Sequence, residues 1–583
     1  MRKLQHLLTA TVLLTVSSAF SQTLMDYVDE VRGDTLVIKD FRDSNEYNSL
    51  NQALTLDTDG VPAGRVYMLK TNGYYPLISN PVTQRPTVIV GEDNTIFVNN
   101  HDAGADPPLI CGTTAESGMV NTGSIGYMHD LTVKNCRMTP GTAEGDLGWT
   151  FFDGQADNVT LTIQNCLLEH TRWIFIEGRN TSGNSYFIKD CYFVNMNGQA
   201  CRRSGGVMDI FYPGDTLWVE NSTHIMGQGM LYKLRDNPFN RVVFNHNTFI
   251  NISNYVFLDL GYQSAMSVTN NIFVNCNVQP YHKETYEISE HDIDKLPLGL
   301  VNVYPDPAVG ADTKYLVDKN AVYWDPRLSD IVETLNTDQV NESTSWVSQM
   351  ITMNQRTRSL FDDDATYPYL TEGTWYEELP GFTDPGDLLT TQVDILKTFS
   401  TEAVDSQSIA ILPDWRLVST GENSYVFADW PIPVDLSYDN TVLLQAATGA
   451  FPVGDLNWFP ALKGQWSAQR DAEYAAIDDY LNSATVPVDE PAGRLPSGFI
   501  IYQNHPNPFN PVTTIRYHLP SGTDVRLTVI DILGREVQTL VNGRQSAGMH
   551  SVILDGRDLS GGVYFYRIQA GAHHDTKKLM ILK

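Results

Sequence analysis

LTVKNCRM, at residues 131–138, recurs with small changes along the first half of the chain. The later copies read LTIQNCLL (161–168), FIKDCYF (187–193), LWVENSTHI (217–225), VVFNHNTFIN (242–251) and SVTNNIFVN (267–275). Aligned on one small position, they place these residues at spacings of 30, 25, 31, 25 and 24: Cys136, Cys166, Cys191, Ser222, Asn247 and Asn271. A repeat of this length indicates a solenoid in which each copy forms one coil.

The composition of each copy selects the kind of solenoid. β-Branched and aromatic residues alternate and the run ends in Asn, which predicts strands and turns rather than amphipathic helices. We therefore predict an all-β fold that begins with a right-handed parallel β-helix over residues 23–285. Because stacked strands lie about 4.8 Å apart, the residue before each aligned position should join a polar ladder. Its members are Asn135, Asn165, Asp190, Asn221, His246 and Asn270.

Three cysteines fall on stacked interior positions of this predicted fold. Cys136, Cys166 and Cys191 are small enough to pack beneath the turns. In-register stacking gives their Cβ atoms parallel directions, which is a poor geometry for a disulfide. We expect these three thiols to be unpaired. The sequence leaves the state of the other three open, namely Cys111, Cys201 and Cys276.

The Asn-Cys and Asn-Asn turns resemble those of the pectate-lyase-like β-helix superfamily. The segments VYMLKTNGYYPL (66–77) and PTVIVGED (86–93) are similar to the opening coils of its members, and the resemblance spans roughly residues 50 to 280. It implies a fold more specifically than an activity. Just before it, Tyr47, Leu50 and Leu54 lie at helical spacing, which predicts a short helix closing the open end of the solenoid.

The N-terminus has the features of a secretory signal peptide. Arg2 and Lys3 precede an apolar run over residues 7–16, which is too short to cross a bilayer, and small residues follow. We expect residues 1–22 to be removed and the mature protein to have no membrane span. Its 39 Lys/Arg against 69 Asp/Glu give a net charge of −30, which opposes binding to nucleic acid. We expect a monomer.

The C-terminal residues form a separate module. A Pro-rich linker at 486–497 precedes residues 498–583, where short alternating runs separated by Gly and Pro predict a small Ig-like β-sandwich. Its motifs PNPFNP (506–511), DILGREV (531–537), SGGVYFYRI (560–568) and KKLMILK (577–583) resemble the C-terminal sorting domain of type IX secretion cargo. This resemblance implies the type IX secretion machinery as a partner and a bacterial protein that is secreted or held at the outer cell surface.

The middle of the chain, residues 286–485, loses the repeat. Residues 328–350 and 467–481 have helical patterns, whereas 320–324 and 425–432 have strand patterns. We expect a mixed extension that caps the last coil of the β-helix. Its aromatic residues could pack in that cap or form a platform for sugars: Trp430, Trp458, Phe459 and Trp466.

Outward side chains on one sheet should share the same distance along the sequence from the aligned positions, and this offset predicts the candidate site residues. Glu177 and Lys233 lie 14 residues before the next aligned position, Asp209 lies 13 before it, and Arg235 and Asp259 lie 12 before it. Arg179 shares the offset of 12. Residues 170–245 hold eight Lys/Arg against six Asp/Glu, a local excess of positive charge that would suit an acidic sugar chain.

Polysaccharide lyases of the resembled superfamily commonly use a Lys or Arg base and often a bound Ca²⁺. Alternation along the strand places Lys233 and Arg235 on one face, so Lys233 is the candidate base and Arg235 its cationic partner. Glu177, Asp209 and Asp259 would hold Ca²⁺ or balance the charge. Four arginines would bind the substrate: Arg179, Arg202, Arg203 and Arg241. The alternative is a solvated face with ion pairs such as Glu177 with Lys233.

Three classes of function remain open on the sequence. The first is a polysaccharide lyase or glycosidase, and the second is a noncatalytic glycan-binding protein. The third is a structural surface protein or adhesin. The elongated face of a β-helix suits a linear polymer, so we expect the protein to bind or act on polysaccharide, although a fold alone does not select a function.

Overall fold

The computed structural model of the protein describes residues 22–581, apart from 42–47, 59, 93–105, 115–119, 122, 142–149, 172–173, 179, 197–205, 236, 260–261, 283–295, 304–308, 338–345, 407–429, 484–499, 502–503, 505–508, 510, 520–521, 546–547, 558 and 572. The chain divides into two compact units, Met1–Pro487 and Val488–Lys583. The predicted signal peptide, apart from residue 22, and the predicted linker lie outside the described residues.

The first unit is a parallel β-helix built from three sheets, as the repeat predicts. Sheet one contains Val28–Arg32, Thr35–Ile38, Val66–Leu69, Thr87–Gly91, Leu131–Lys134, Thr160–Gln164, Ser185–Lys189, Gly214–Glu220, Phe239–Asn245, Ala265–Thr269, Lys314–Asp318 and Leu370–Glu372. Sheet two contains Tyr74–Pro76, Leu109–Cys111, Arg137–Thr139, Leu167–Thr171, Tyr192–Met196, Thr223–Gly227, Thr248–Ile252, Ile272–Cys276, Asn320–Tyr323 and Trp375–Tyr376. Sheet three contains Val82–Thr83, Ile125–Tyr127, Phe152–Gly154, Ile174–Gly178, Gly206–Ile210, Tyr232–Arg235 and Phe257–Asp259.

The strands stack in the register that the sequence alignment predicts. Leu131 pairs with Leu161, which pairs with Tyr186, and the same offset from the aligned position continues through the later coils. The amide of Tyr192 donates to the carbonyl of Cys166 at 2.9 Å, which joins two successive turns. The Asn-Cys turns therefore lie on adjacent coils.

A left-handed backbone conformation explains the residue types of the predicted ladder. All six members have φ between 46° and 58°. L-residues rarely adopt this conformation, and Asn, Asp and His tolerate it better than most. Side chains also bond along the stack in the early coils, where Asn165 Nδ2 donates to Asn135 Oδ1 at 2.6 Å.

A second ladder runs inside the solenoid, at the aligned positions themselves. In the early coils it consists of the buried thiols Cys136, Cys166 and Cys191, which are free, as predicted; Cys276 is free as well. Later coils replace sulfur with hydrogen-bonding amides, so that Asn247 Nδ2 donates to Asn271 Oδ1 at 3.0 Å. Cys201 lies outside the described residues.

The N-terminal end of the solenoid is closed as the sequence predicts. Helix Ser49–Leu56 buries Leu50, Ala53 and Leu54 in the main core of the solenoid. Strand Val28–Arg32 pairs antiparallel with the first parallel strand of sheet one and is the outermost strand of that sheet. Its exposed charged side chains discourage pairing with another chain.

The extension differs from its prediction in two ways. Sheets one and two continue beyond residue 285, as far as 376, so part of the extension is still β-helix. The rest covers the flank of the solenoid as well as its end. Helix Gln355–Phe361 buries its last two residues in the main core beside Leu370 of the final strand of sheet one, as a cap over the last coil would. Sheet two is apolar on its outer face as well as inside, and Ile225 and Val274 pack there against Leu388 and Trp458. The extension therefore buries this apolar face in addition to the end of the stack.

The extension combines α-helices with short strands and 3₁₀ turns. Its α-helices are Ile331–Thr337, Gln355–Phe361, Thr391–Ser406, Pro460–Ser467 and Arg470–Asn482, and 3₁₀ turns occur at Pro326–Leu328, Leu443–Gln445 and Leu456–Trp458, with another at Leu24–Tyr27 near the N-terminus. Antiparallel strand pairs join Phe382–Asp384 to Asp435–Tyr438, Tyr281–His282 to Trp346–Val347, and Thr113–Thr114 to Val120–Asn121.

One segment of the extension, residues 448–474, binds the ladder turn by turn, and we call it the strap. Its Thr448 N–H donates to Asn270 Oδ1, and the Gly454 carbonyl contacts His246 Nδ1. Further along, the Asn457 amide donates to the Asn221 carbonyl, and Lys463 pairs with Asp190 at 2.6 Å. From coil to coil the strap therefore satisfies ladder groups that would otherwise lack partners.

The second unit is a small antiparallel β-sandwich with its own core. One sheet contains Ile500–Ile501, Val512–Leu519 and Gly548–Asp555. The other contains Glu536–Gln545, Thr523–Asp531, Gly562–Ala570 and His573–Ile581. Ile515, Leu527 and Tyr566 are among the buried residues between them.

Candidate functional site

The outer face of sheet three carries a continuous column of ionisable side chains. Asp153 pairs with Glu177, Glu177 with Asp209, and Asp209 with Lys233, each on the next coil. Asp209, whose offset left its facing open, therefore lies directly between Glu177 and Lys233. Successive members of such a column stand about 4.8 Å apart.

Asp209 is the centre of the cluster. Its carboxylate is fully buried and accepts hydrogen bonds from Arg235 Nε at 2.9 Å and Arg235 Nη2 at 3.1 Å. Lys233 Nζ lies 3.5 Å from Asp209 Oδ2, and its side chain is only 7% exposed. The predicted base is therefore paired with a buried carboxylate.

Arg235 occupies an unusual backbone conformation. Its φ is 57°, in the left-handed region, and the pairing of its strand shifts register between Lys233 and Arg235. The shift still leaves Tyr232 and Leu234 in the core, as the alternation predicts, and pairs Arg235 with Asp259. The guanidinium carbon lies 4.8 Å from the centre of the Phe211 ring. Strain of this kind is common at functional sites, where surrounding contacts hold it.

Glu177 is the most accessible acid of the predicted set among the described side chains. It is half-buried, and Thr150 Oγ1 donates to its Oε2 at 3.2 Å. A carboxylate that solvent can reach therefore lies next to Asp209 in the column.

Arg241 does not join this cluster, contrary to the prediction that it shares the substrate face. It lies in the Phe239–Asn245 strand of sheet one, where its guanidinium pairs with Asp478 of helix Arg470–Asn482 at 2.6 Å. Burial lowers the pKa of Arg241. The other predicted substrate arginines lie outside the described residues: Arg179, Arg202 and Arg203. The side chain of Asp259 is likewise not described.

The described acids do not fit a Ca²⁺ ion. Both oxygens of Asp209 are engaged by cationic side chains, whereas calcium requires six to eight free oxygen ligands. Among the residues that the structure describes, no group of three or more His, Cys, Asp or Glu side chains could hold a metal.

Two residues of the face were missed in the sequence. Asp153 lies 13 residues before Cys166, the same offset that Asp209 has from Ser222, so the repeat itself could have identified it. Phe211 follows Asp209 by two residues, and alternation alone would have placed it near the same face.

Residues 503–582 match the family described as the secretion system C-terminal sorting domain. The C-terminal unit is a type IX sorting domain. The sorting domain directs the protein to secretion and the outer surface of a bacterial cell, and it implies an interaction with the secretion machinery. No curated protein matches the chain. In the described part of the chain, no helix is both long and apolar enough to cross a membrane.

Proposed function

We propose that the β-helix binds a polysaccharide along the outer face of sheet three, outside the cell. The observation that carries this proposal is the fixed guanidinium of Arg235. Asp209 holds it at two points, the Phe211 ring lies beneath it, and its backbone is strained. A planar donor fixed in this way recognises sugar oxygens or carboxylates at a low cost in conformational entropy. The likeness of the repeat to the pectate-lyase-like superfamily agrees with this proposal.

The first prediction concerns Arg235. Arg235→Ala should weaken binding at least tenfold to whichever of polygalacturonate, alginate and xylan the parent protein binds, measured by calorimetry. Arg235→Lys keeps a positive charge beside Asp209 but loses the planar guanidinium group, so it should also weaken binding. The matched control is Arg327→Ala, because Asp325 holds that exposed arginine in the same two-point manner. Parental affinity in both Arg235 variants would contradict the proposal.

Cleavage of the bound polymer is a second candidate function. It is favoured by Glu177, a half-buried carboxylate that shares its column with the Lys233 ammonium group. Such a carboxylate could remove the proton next to a uronate carboxylate while Arg235 stabilises the developing charge. Unsaturated product absorbing near 235 nm would reveal this reaction. Glu177→Gln should then abolish turnover and retain binding.

A further inference from the structure

The outer face of sheet one carries a second group of aromatic and cationic side chains. Phe187 and Trp218 pair across adjacent strands, with ring centroids 6.5 Å apart. Lys189 Nζ lies 5.6 Å from the centre of each ring. In the same column as Lys189, Lys134 stands two strands away, across Gln164. We call Lys134, Phe187, Lys189 and Trp218 the ledge.

The two lysines of the ledge lack a direct counter-ion. Within the described part of the chain, the side chains of Lys134 and Lys189 make no ion pair and no hydrogen bond. The nearest carboxylates are committed elsewhere, since Glu220 accepts from Arg470 at 2.7 Å and Asp190 pairs with Lys463. Burial lowers the pKa of the Lys189 ammonium. Unneutralised cations on a chain of net charge −30 require an explanation.

The ledge lies where the covered part of sheet one gives way to an open part. Helix Arg470–Asn482 packs on the later strands, and its Tyr474 ring lies 4.5 Å from Trp218. On the other side, the outward side chains of three consecutive strands are partly exposed: Leu131–Lys134, Thr160–Gln164 and Ser185–Lys189. The accessible surface therefore extends across the coils, which is the direction that a linear polymer would follow.

We propose that the ledge binds anionic sugar units of the polysaccharide. The half-buried Phe187 and Trp218 rings offer apolar surface to sugar rings, and Lys134 and Lys189 offer donors to carboxylate or sulfate groups. This inference takes the ligand class from the proposed function and adds that the polymer is acidic. It also places a second contact surface on a different sheet from Arg235.

The test compares charge and ring variants of the full-length protein. Lys134→Gln/Lys189→Gln should weaken binding to polygalacturonate or a sulfated polymer at least tenfold and reduce its salt dependence. Phe187→Ala should weaken binding without changing that dependence. Lys39→Gln/Lys397→Gln removes the same charge from two exposed sites elsewhere and should bind as the parent does. Fully methyl-esterified polygalacturonate, which is neutral, should bind more weakly than the acid form.

The outcomes separate the two proposals. Parental affinity in both ledge variants, or no binding of any carboxylated or sulfated polymer by the parent, overturns the ledge. If Arg235→Ala abolishes binding while the ledge variants bind normally, the sheet-three proposal stands and the ledge falls. The reverse result supports the ledge and removes sheet three. Thermal unfolding of each variant shows whether lost binding reflects lost fold.

Discussion

His224 shows how one buried residue can be structural although its type suggests catalysis. Its ring stacks between Phe193 and Phe249, with centroids 4.5 Å from each, inside the solenoid. Its Nε2 lies 2.8 Å from the Tyr232 hydroxyl. Burial lowers the pKa of His224 from 6.5 to about 3, so the folded protein holds this imidazole neutral.

This depressed pKa predicts a specific loss of stability in acid. The unfolded chain takes up the proton near pH 6.5 and the folded chain only near pH 3, so the free energy of unfolding should fall as the pH drops between these values. The loss is about 3 kcal/mol by roughly pH 4, at ~1.4 kcal/mol per pH unit. His224→Phe keeps the stack and removes the titration, so its urea-unfolding free energy should depend less on pH. Equal slopes for the two proteins would exclude this linkage.

At the scale of the element, the interior ladder changes chemistry along the solenoid. Cysteine fills the aligned position in the early coils, whereas Asn247 makes three hydrogen bonds there. It accepts from the Ser222 N–H and donates to the Val219 carbonyl and to Asn271 Oδ1. The later coils are thus joined by side-chain hydrogen bonds in addition to those of the backbone.

Asn247→Ala should therefore destabilise the solenoid far more than Cys166→Ala, its counterpart in an earlier coil. The first change leaves several buried polar groups without partners and should cost about 3 kcal/mol or more. The second removes one small buried group and should cost about 1 kcal/mol. Urea unfolding of the two variants measures both values. Similar losses would show that the interior amides contribute little beyond their volume.

The ladder could be predicted from sequence because its cause is local. A left-handed turn restricts residue type, so Asn, Asp and His recur at one offset in every coil, and the strand register follows from that alignment. Lys233 and Arg235 could be placed on one face by simple alternation. The ion pairs of both side chains with Asp209 could not be predicted, because they depend on how side chains from neighbouring coils approach each other in three dimensions.

For the whole molecule, the two compact units predict separable roles. Deleting residues 499–583 removes the type IX sorting domain and leaves the cores of the first unit intact. The truncated protein should accumulate inside the cell envelope, as measured by fractionation and immunoblotting. Once purified, it should bind polysaccharide with parental affinity and unfold at the parental temperature. Normal appearance of the truncated protein at the cell surface would refute this division of roles.

The extension shows why the remaining architecture escaped prediction. The contacts of its strap with the ladder join residues 178 to 273 positions apart, from Thr448 with Asn270 to Lys463 with Asp190. Contacts over such long separations produce no periodic pattern in the sequence. The sequence offers packing as one of two roles for its aromatic residues, but the surface that they cover is defined only once sheet two is assembled.

The strap also sets the order in which the protein can be completed. Synthesis begins at the N-terminus, so every ladder turn exists before residues 448–474 emerge. Until then the part of the outer face of sheet two that packs against Trp458 of the strap stays uncovered. The chain therefore passes through a stage at which apolar surface on this flank is exposed and prone to aggregation. The sorting domain follows the strap, so any molecule that bears the export address already contains the segment that closes this flank.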